Sequence, residues 1–248
     1  MSDIYESDKL LSEYLLFHFG GADEILTNNR AWPQGMREAL DFAVRTPRHF
    51  ASGHVSRALD LGCAVGRSAF EMANNADEVI GIDFSQAFIA AAESLRQGGT
   101  LTYRRLEEAG LSTPLTAHLG PEVPAHKLRF LQGDAMNLPE DLGSFDRVHA
   151  ANLICRLPEP QRLLDRLPQL VRAGGELVLA TPCTWLGEFT PPENWPKNGT
   201  LPWLEESLKP HFRLVRQAEE PFLIRETARK FQWTTSLVTV WERGDSGV

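Results

Sequence analysis

The stretch from Arg57 to Phe70, RALDLGCAVGRSAF, is an apolar run that closes on Asp60-Leu61-Gly62 and turns again at Gly66. A strand that enters a glycine turn and leaves as a helix presents backbone N–H groups and a helix N-terminus to a ligand at the carboxyl end of a sheet. A dinucleotide pyrophosphate calls for the spacing G-x-G-x-x-G. Counted from Gly62, this chain carries Ala64 and Arg67 where the second and third glycines would stand, so the pyrophosphate reading weakens. Further along, Asp83 closes the run EVIGIDF, 21 residues after Gly62, where a carboxylate can accept from both hydroxyls of a ribose. That spacing alone suits either a dinucleotide or another adenosine cofactor. Gly133-Asp134-Ala135 follows LRFLQ, and FDRVHAAN ends on Asn152.

These groups sit at the ends of elements that alternate in period. From Arg57 onward short apolar strands (ALDLG, EVIGIDF, LRFLQGD, FDRVHAAN, GELVLATP) interleave with helical patterns (SAFEMANN, QAFIAAAESLRQ, QRLLDRLPQLV). Stacked βαβ units of this kind build a parallel sheet. The tail changes character: FRLVRQAEEPFLIRE and KFQWTTSLVTVW predict two strands in an antiparallel ending. Near the N-terminus, Leu10, Leu11, Tyr14, Leu15, His18 and Phe19 fall on one broad helical face that Gly20-Gly21 stops. Gly98 to His126 interrupts the alternation as an insertion, with RRLEEAG expected to form a helical turn or two.

Composition narrows the class. The 248 residues fit one domain, with 42% hydrophobic and 23% charged residues and no apolar run long enough to span a bilayer. The acidic start (Asp3, Glu6, Asp8, Glu13) carries no signal-peptide pattern, so a cytoplasmic location is expected. Cys63, Cys155 and Cys183 are too few and scattered for a disulfide framework. A net charge of −8 argues against a nucleic-acid partner, which needs clustered Lys and Arg; a small-molecule substrate is expected.

The pattern Asp60-x-Gly62-x-x-x-Gly66 resembles motif I of the class I S-adenosylmethionine-dependent methyltransferases, in which methionine and ribose pass the turn. The resemblance implies an α/β, Rossmann-like fold: a seven-stranded, mostly parallel sheet with an antiparallel last strand, here with an N-terminal helical cap over residues 1–50. It implies S-adenosylmethionine as cofactor, S-adenosylhomocysteine as product and no metal. It places the cofactor on Asp60, Gly62, Cys63, Ala64, Gly66, Asp83, Phe84, Ser85, Gly133, Asp134, Ala135, Asn152 and Leu153, with Asp134 accepting from the adenine amino group. Arg45, in FAVRTP, is a candidate for the methionine carboxylate. Cys63 is expected to pack beneath the turn and His149, in mid-strand, to be a satisfied core histidine.

The acceptor is read differently. Enzymes that methylate exocyclic amines of bases carry Asn-Pro-Pro-aromatic after the fourth strand, whereas Asn152 precedes LICRL. The stretches YESDKLLSEYLLFHFG, ALDLGCAVGRSAFEMA, VIGIDFSQAFI, FLQGDAMNLP, AANLICRLPEP and IRETARKFQWTTSLVTVW together resemble the 4-mercaptohistidine N1-methyltransferases of ovothiol biosynthesis, from about Tyr5 to Trp241. That family is commonly fused to an iron-dependent sulfoxide synthase. The resemblance implies N-methylation of 5-thiohistidine supplied by a separate synthase partner. A zwitterionic, aromatic acceptor calls for an arginine fork, a carboxylate and an aromatic wall. Candidates are Arg225, Glu226 and Arg229 with Phe231 and Trp233, and Trp185 in the loop after the fifth strand of the alternation. Tyr14 and His18, one helical turn apart, together with Asn152 are the candidates for positioning the ring or taking its proton.

Overall fold

The computed structural model describes residues 6–28 and 30–244; Asp3, and Tyr5 where the wider resemblance begins, lie outside them. Among the described residues the strands in chain order are β1 (Val55–Leu61), β2 (Ala76–Asp83), β3 (Leu101–Glu108), β4 (Leu111–Ala117), β5 (Leu128–Gln132), β6 (Phe145–Ala151), β7 (Val171–Thr181), β8 (Phe212–Arg225) and β9 (Phe231–Arg243). The helices are α1 (Asp8–Phe19), α2 (Ala22–Ile25), α3 (Gln34–Glu38), α4 (Phe42–Arg45), α5 (Arg67–Ala73), α6 (Gln86–Arg96), α7 (Pro160–Leu170) and α8 (Thr200–Leu208), with a 3-10 turn over Thr46–His49.

Seven strands form one sheet in the order β5-β2-β1-β6-β7-β9-β8. The first five pair in parallel, and β9 runs antiparallel to both β7 and β8. The expected seven-stranded sheet with an antiparallel last strand is therefore present. The strand order reverses between β1 and β6, which opens the crevice where ligands bind in open α/β sheets. Strands buried on both faces read as continuous apolar runs, which is why Leu59, Leu61, Val148 and Ala150 pack against Leu163, Leu164 and Leu167 of α7. The opposite face of the same strands meets α1, α4 and α5 through Leu15, Leu16, Phe42 and Phe70.

The insertion departs from expectation. RRLEEAG is not helical: Arg104 to Glu108 lie in β3, paired antiparallel with β4 (Arg105↔Thr113, Tyr103↔Leu115), and Ala109 turns the chain with φ of 50°. Helix-favouring residues yield here to cross-strand pairing and to burial of Tyr103 and Ala117 beneath the cap. Residues from the cap and β8 then tie the hairpin down. Glu107 accepts from Arg225 of β8, and Arg105 donates to the Glu24 carbonyl of α2.

Candidate cofactor cleft

A cleft of about 1060 Å³, its open mouth included, lies at the carboxyl ends of β1, β2, β5 and β6 under α1 and α4. Its floor is the turn after β1. Gly62, Ala64 and Gly66 all take positive φ, at 67°, 47° and 89°. A Cβ on Gly62 would meet Leu153 Cδ1 at 2.9 Å, and one on Gly66 would meet Phe130 Cζ at 2.7 Å, so neither tolerates a side chain without movement. Ala64, where a dinucleotide loop would carry glycine, accepts the left-handed conformation and donates its N–H to Asp83 Oδ2 at 2.9 Å. Cys63 is buried beneath the turn as expected, and burial, with Asp83 and Asp60 nearby, raises its thiol pKa, so it stays protonated.

Asp83 ends β2 on the cleft, held by N–H groups of Ala64 and Ser85. Burial pushes its carboxyl up to about 6 against those donors, and Asp60 adds to the rise. Phe84 and Ser85 follow it along the wall, and Ser85 also caps α6 by accepting from Phe88 N at 3.1 Å. Gly133 and Ala135 line the same end. Asp134 between them does not: its Oδ1 accepts from Met136 N at 2.9 Å, closing a local turn. Asn152 and Leu153 line the cleft beyond β6. Asn152 sits at φ 54°, with its Oδ1 accepting from Ser236 Oγ of β9 at 2.7 Å.

The cap supplies the facing wall. Tyr14, Phe17 and His18 of α1 and Phe42 of α4 line the cleft, so the one-turn spacing of Tyr14 and His18 does bring both to one pocket, rings 5.8 Å apart. Burial, and then the charge of Arg67, lower the His18 pKa to about 3. At neutral pH His18 is therefore an uncharged hydrogen-bonding group rather than a proton acceptor.

His149 corrects an expectation. It is not a satisfied core histidine, because only one of its nitrogens has a partner. Its Nδ1 meets Asp60 Oδ1 at 2.7 Å on the neighbouring strand, while Nε2 and Asp60 Oδ2 are buried without one. Both side chains line the cleft. A signal was present in the sequence: Asp60 and His149 each stand between two apolar residues, Leu59 and Leu61 and Val148 and Ala150, and buried polar groups call for a partner. Arg156 was also missed. It is the one Arg or Lys among the described lining residues, braced by the carbonyls of Cys155 and Thr184. Phe42 and Ile224 join the wall only through tertiary folding, and no local pattern marks them.

Other candidates stand elsewhere. Arg45 points to β8, where it pairs with Glu220 and donates to the Pro221 carbonyl, a strong structural tie in place of a methionine carboxylate. Arg225, 3% exposed, is spent on the Ile25 carbonyl and Glu107. Glu226 accepts from Lys230 and Gln232, and the Arg229 N–H closes the turn on Thr227. Phe231 packs edge-on against Trp32, and Trp233 covers Gly35 from an exposed position. Trp185 packs on Trp203 and donates to Thr200 Oγ1 at 2.9 Å. None of these seven lines the cleft. The β8–β9 cluster is a structural corner: Glu226 and Lys230 pair with each other, and Arg225 reaches across to Glu107 and the Ile25 carbonyl.

Residues 59–179 match the family described as "Methyltransferase domain". Among similar proteins are a phosphatidylethanolamine N-methyltransferase of Cereibacter sphaeroides, 28% identical over 54% of this chain and 56% of its own length, and a demethylmenaquinone methyltransferase of Lactococcus lactis, 25% identical over 71% and 55%. This chain thus spans about half the length of those relatives. Among solved structures, the N-methyltransferase NodS of Bradyrhizobium japonicum in complex with S-adenosylhomocysteine superposes with a TM-score of 0.55 at 14% identity, covering 94% of this chain and 98% of that one. The [4+2]-cyclase SpnF superposes at 0.61 with 18% identity, covering 99% and 96%. These likenesses establish the class I methyltransferase fold, and SpnF shows that the fold also carries other chemistry.

Proposed function

With residues 59–179 forming a methyltransferase domain, we propose that this protein transfers a methyl group from S-adenosylmethionine to an imidazole nitrogen of 5-thiohistidine. The observation that carries the donor is the cleft itself: the turn at Gly62, Ala64 and Gly66 leads directly to a buried Asp83 carboxylate. That carboxylate keeps acceptor capacity beyond its two backbone donors, which fits a ribose diol. Asp83 and Ser85 would hold the ribose, Gly133 and Ala135 would flank the adenine, and Asp60, Asn152 and Arg156 line the methionine end of such a ligand. When bound, the donor supplies an electrophilic methyl carbon; the chain's own work is to align the acceptor, exclude water and take a proton.

The acceptor assignment rests on the resemblance at the two ends of the chain, and one structural feature supports it. Those ends fold together over the cleft, through Tyr14, Phe17 and His18 of α1 and Ile224 of β8. Phe17 and Phe42, stacked on each other with ring centroids 6.1 Å apart, give the cleft an aromatic wall, and Arg156 is the cation available to a carboxylate. The arginine fork thus shifts from Arg225 and Arg229 to Arg156. A separate sulfoxide synthase would be the supplier of the thiolated ring. A panel of histidine, 5-thiohistidine and ergothioneine incubated with the protein and S-adenosylmethionine tests the assignment. Methylation of 5-thiohistidine is expected. Turnover of another member alone would move the assignment to a different heteroaromatic acceptor, and cofactor binding without turnover of any would leave a non-catalytic partner protein.

A further inference from the structure

Among the described residues, three buried polar atoms of side chains that line the cleft have no partner: Asp60 Oδ2, His149 Nε2 and His18 Nδ1. Asp60 and His149 are each 1% exposed. A buried donor or acceptor left unpaired costs about 1–3 kcal/mol, so atoms of this kind that line a cavity mark where a ligand group belongs. With Asp60 as the acceptor of the shared 2.7 Å hydrogen bond, His149 Nδ1 is the donor, and a neutral imidazole then presents a lone pair at Nε2. The register of the sheet makes the pair: Asp60 and His149 are direct partners in the parallel β1–β6 ladder, with side chains on the cap face.

We propose that His149 Nε2 is the proton acceptor for the ring that is methylated, with Asp60 as its positioning partner. The inference rests on the reading above for the identity of that ring. The acceptor nitrogen supplies the electron pair of the new N–C bond, and the carbon–sulfur bond breaks with its pair left on sulfur. The positive charge then on the ring is discharged by loss of its N–H proton to His149 Nε2. Asp60, fixed on Nδ1–H, orients the imidazole and offsets the charge that develops on it. The other groups around the pair suit the task less. His18 from α1 is held neutral by burial and the Arg67 charge, and Cys63 is protonated. Asp83 is bound to two backbone N–H groups, and Arg156 is permanently charged. His49 is paired with Glu220 of β8 at 2.8 Å, and Arg147 of β6 lies over the ring of Phe50, which itself packs against His149.

The test uses the full chain and two measurements. His149→Gln should lower kcat about 100-fold or more, a loss typical of removing a general base. Its affinity for S-adenosylhomocysteine by calorimetry should stay within about twofold of the unmodified protein, a difference of under about 0.5 kcal/mol. The acid limb of the pH–rate profile should vanish in this variant, and added imidazole should restore turnover to His149→Ala. Asp60→Asn, which keeps the shape of the pair, should give a smaller loss with the limb displaced, and it serves if the histidine variants fail to fold. Unchanged kcat in His149→Gln overturns the proposal. So does weakened S-adenosylhomocysteine binding with kcat preserved at saturating donor, which would make the pair a holder of the methionine ammonium. If the unmodified protein methylates a panel member other than 5-thiohistidine, the acceptor assignment falls, and the same comparison on that member still decides the role of His149.

Discussion

Asp83 shows how one side chain can report on the ligand. Its carboxyl is raised to about 6 because burial outweighs the backbone donors of Ser85, Ala64 and Phe84. A ribose would add donors to the charged form and lower that pKa, so the bound state holds fewer protons than the free one below pH 6. Binding of S-adenosylhomocysteine should therefore release a proton below about pH 6 and weaken as pH falls, which calorimetry in buffers of different ionisation enthalpy can read. Asp83→Ala should cost about 100-fold in affinity, since two charge-assisted hydrogen bonds at ~1.5 kcal/mol each are lost. Undiminished affinity would remove the residue from the site. Asp83 was legible in the sequence because a carboxylate ending an apolar strand has few other uses. Asp134 accepts from the N–H two residues on, as Asp83 does, yet does not line the cleft, and no local spacing separates the two.

At the scale of elements, the turn and the strands were read from pattern, whereas the hairpin was not. Period and apolar runs announce β1, β2, β6 and β7, because strands buried on both faces admit little else, and β5 through its apolar alternation. β3 and β4 are half-exposed and polar, so their pairing depends on neighbours that the local sequence does not display. Gly66 is committed by geometry: φ of 89° and a would-be Cβ 2.7 Å from Phe130. Gly66→Ala should lower stability by about 2 kcal/mol through backbone strain and overpacking, measured as a shifted urea midpoint. Arg225 gives a contrasting test. Bonded to Glu107 and the Ile25 carbonyl, it ties β8 to the hairpin and the cap. Arg225→Met should destabilise the fold by about 3 kcal/mol while leaving the acceptor KM nearly unchanged. A raised KM at full stability would return Arg225 to the acceptor site.

Across the whole molecule, the donor half of the cleft comes from the matched domain, and its other wall comes from the chain's ends. β1, β2, β5 and β6 belong to residues 59–179 in whole or in part. α1, α4 and β8 lie outside it, and they bring Tyr14, His18, Phe42 and Ile224 to the cleft. Glu220 of β8 staples the cap by pairing with both Arg45 and His49, so cap and tail form one wall. Residues far apart in sequence converge there, which is why Tyr14 and His18 could be named from helical spacing but Phe42, Arg156 and Ile224 could not. Among the described residues no helix is long and apolar enough to cross a membrane.

The most direct test follows the methyl group. The protein is incubated with 5-thiohistidine and S-adenosylmethionine labelled in its methyl carbon, and the product is located by NMR. The account predicts the label on the imidazole nitrogen nearest the side chain, with S-adenosylhomocysteine formed in equal amount. Label found on the ring sulfur, or left on the donor while S-adenosylmethionine demonstrably binds, would contradict it.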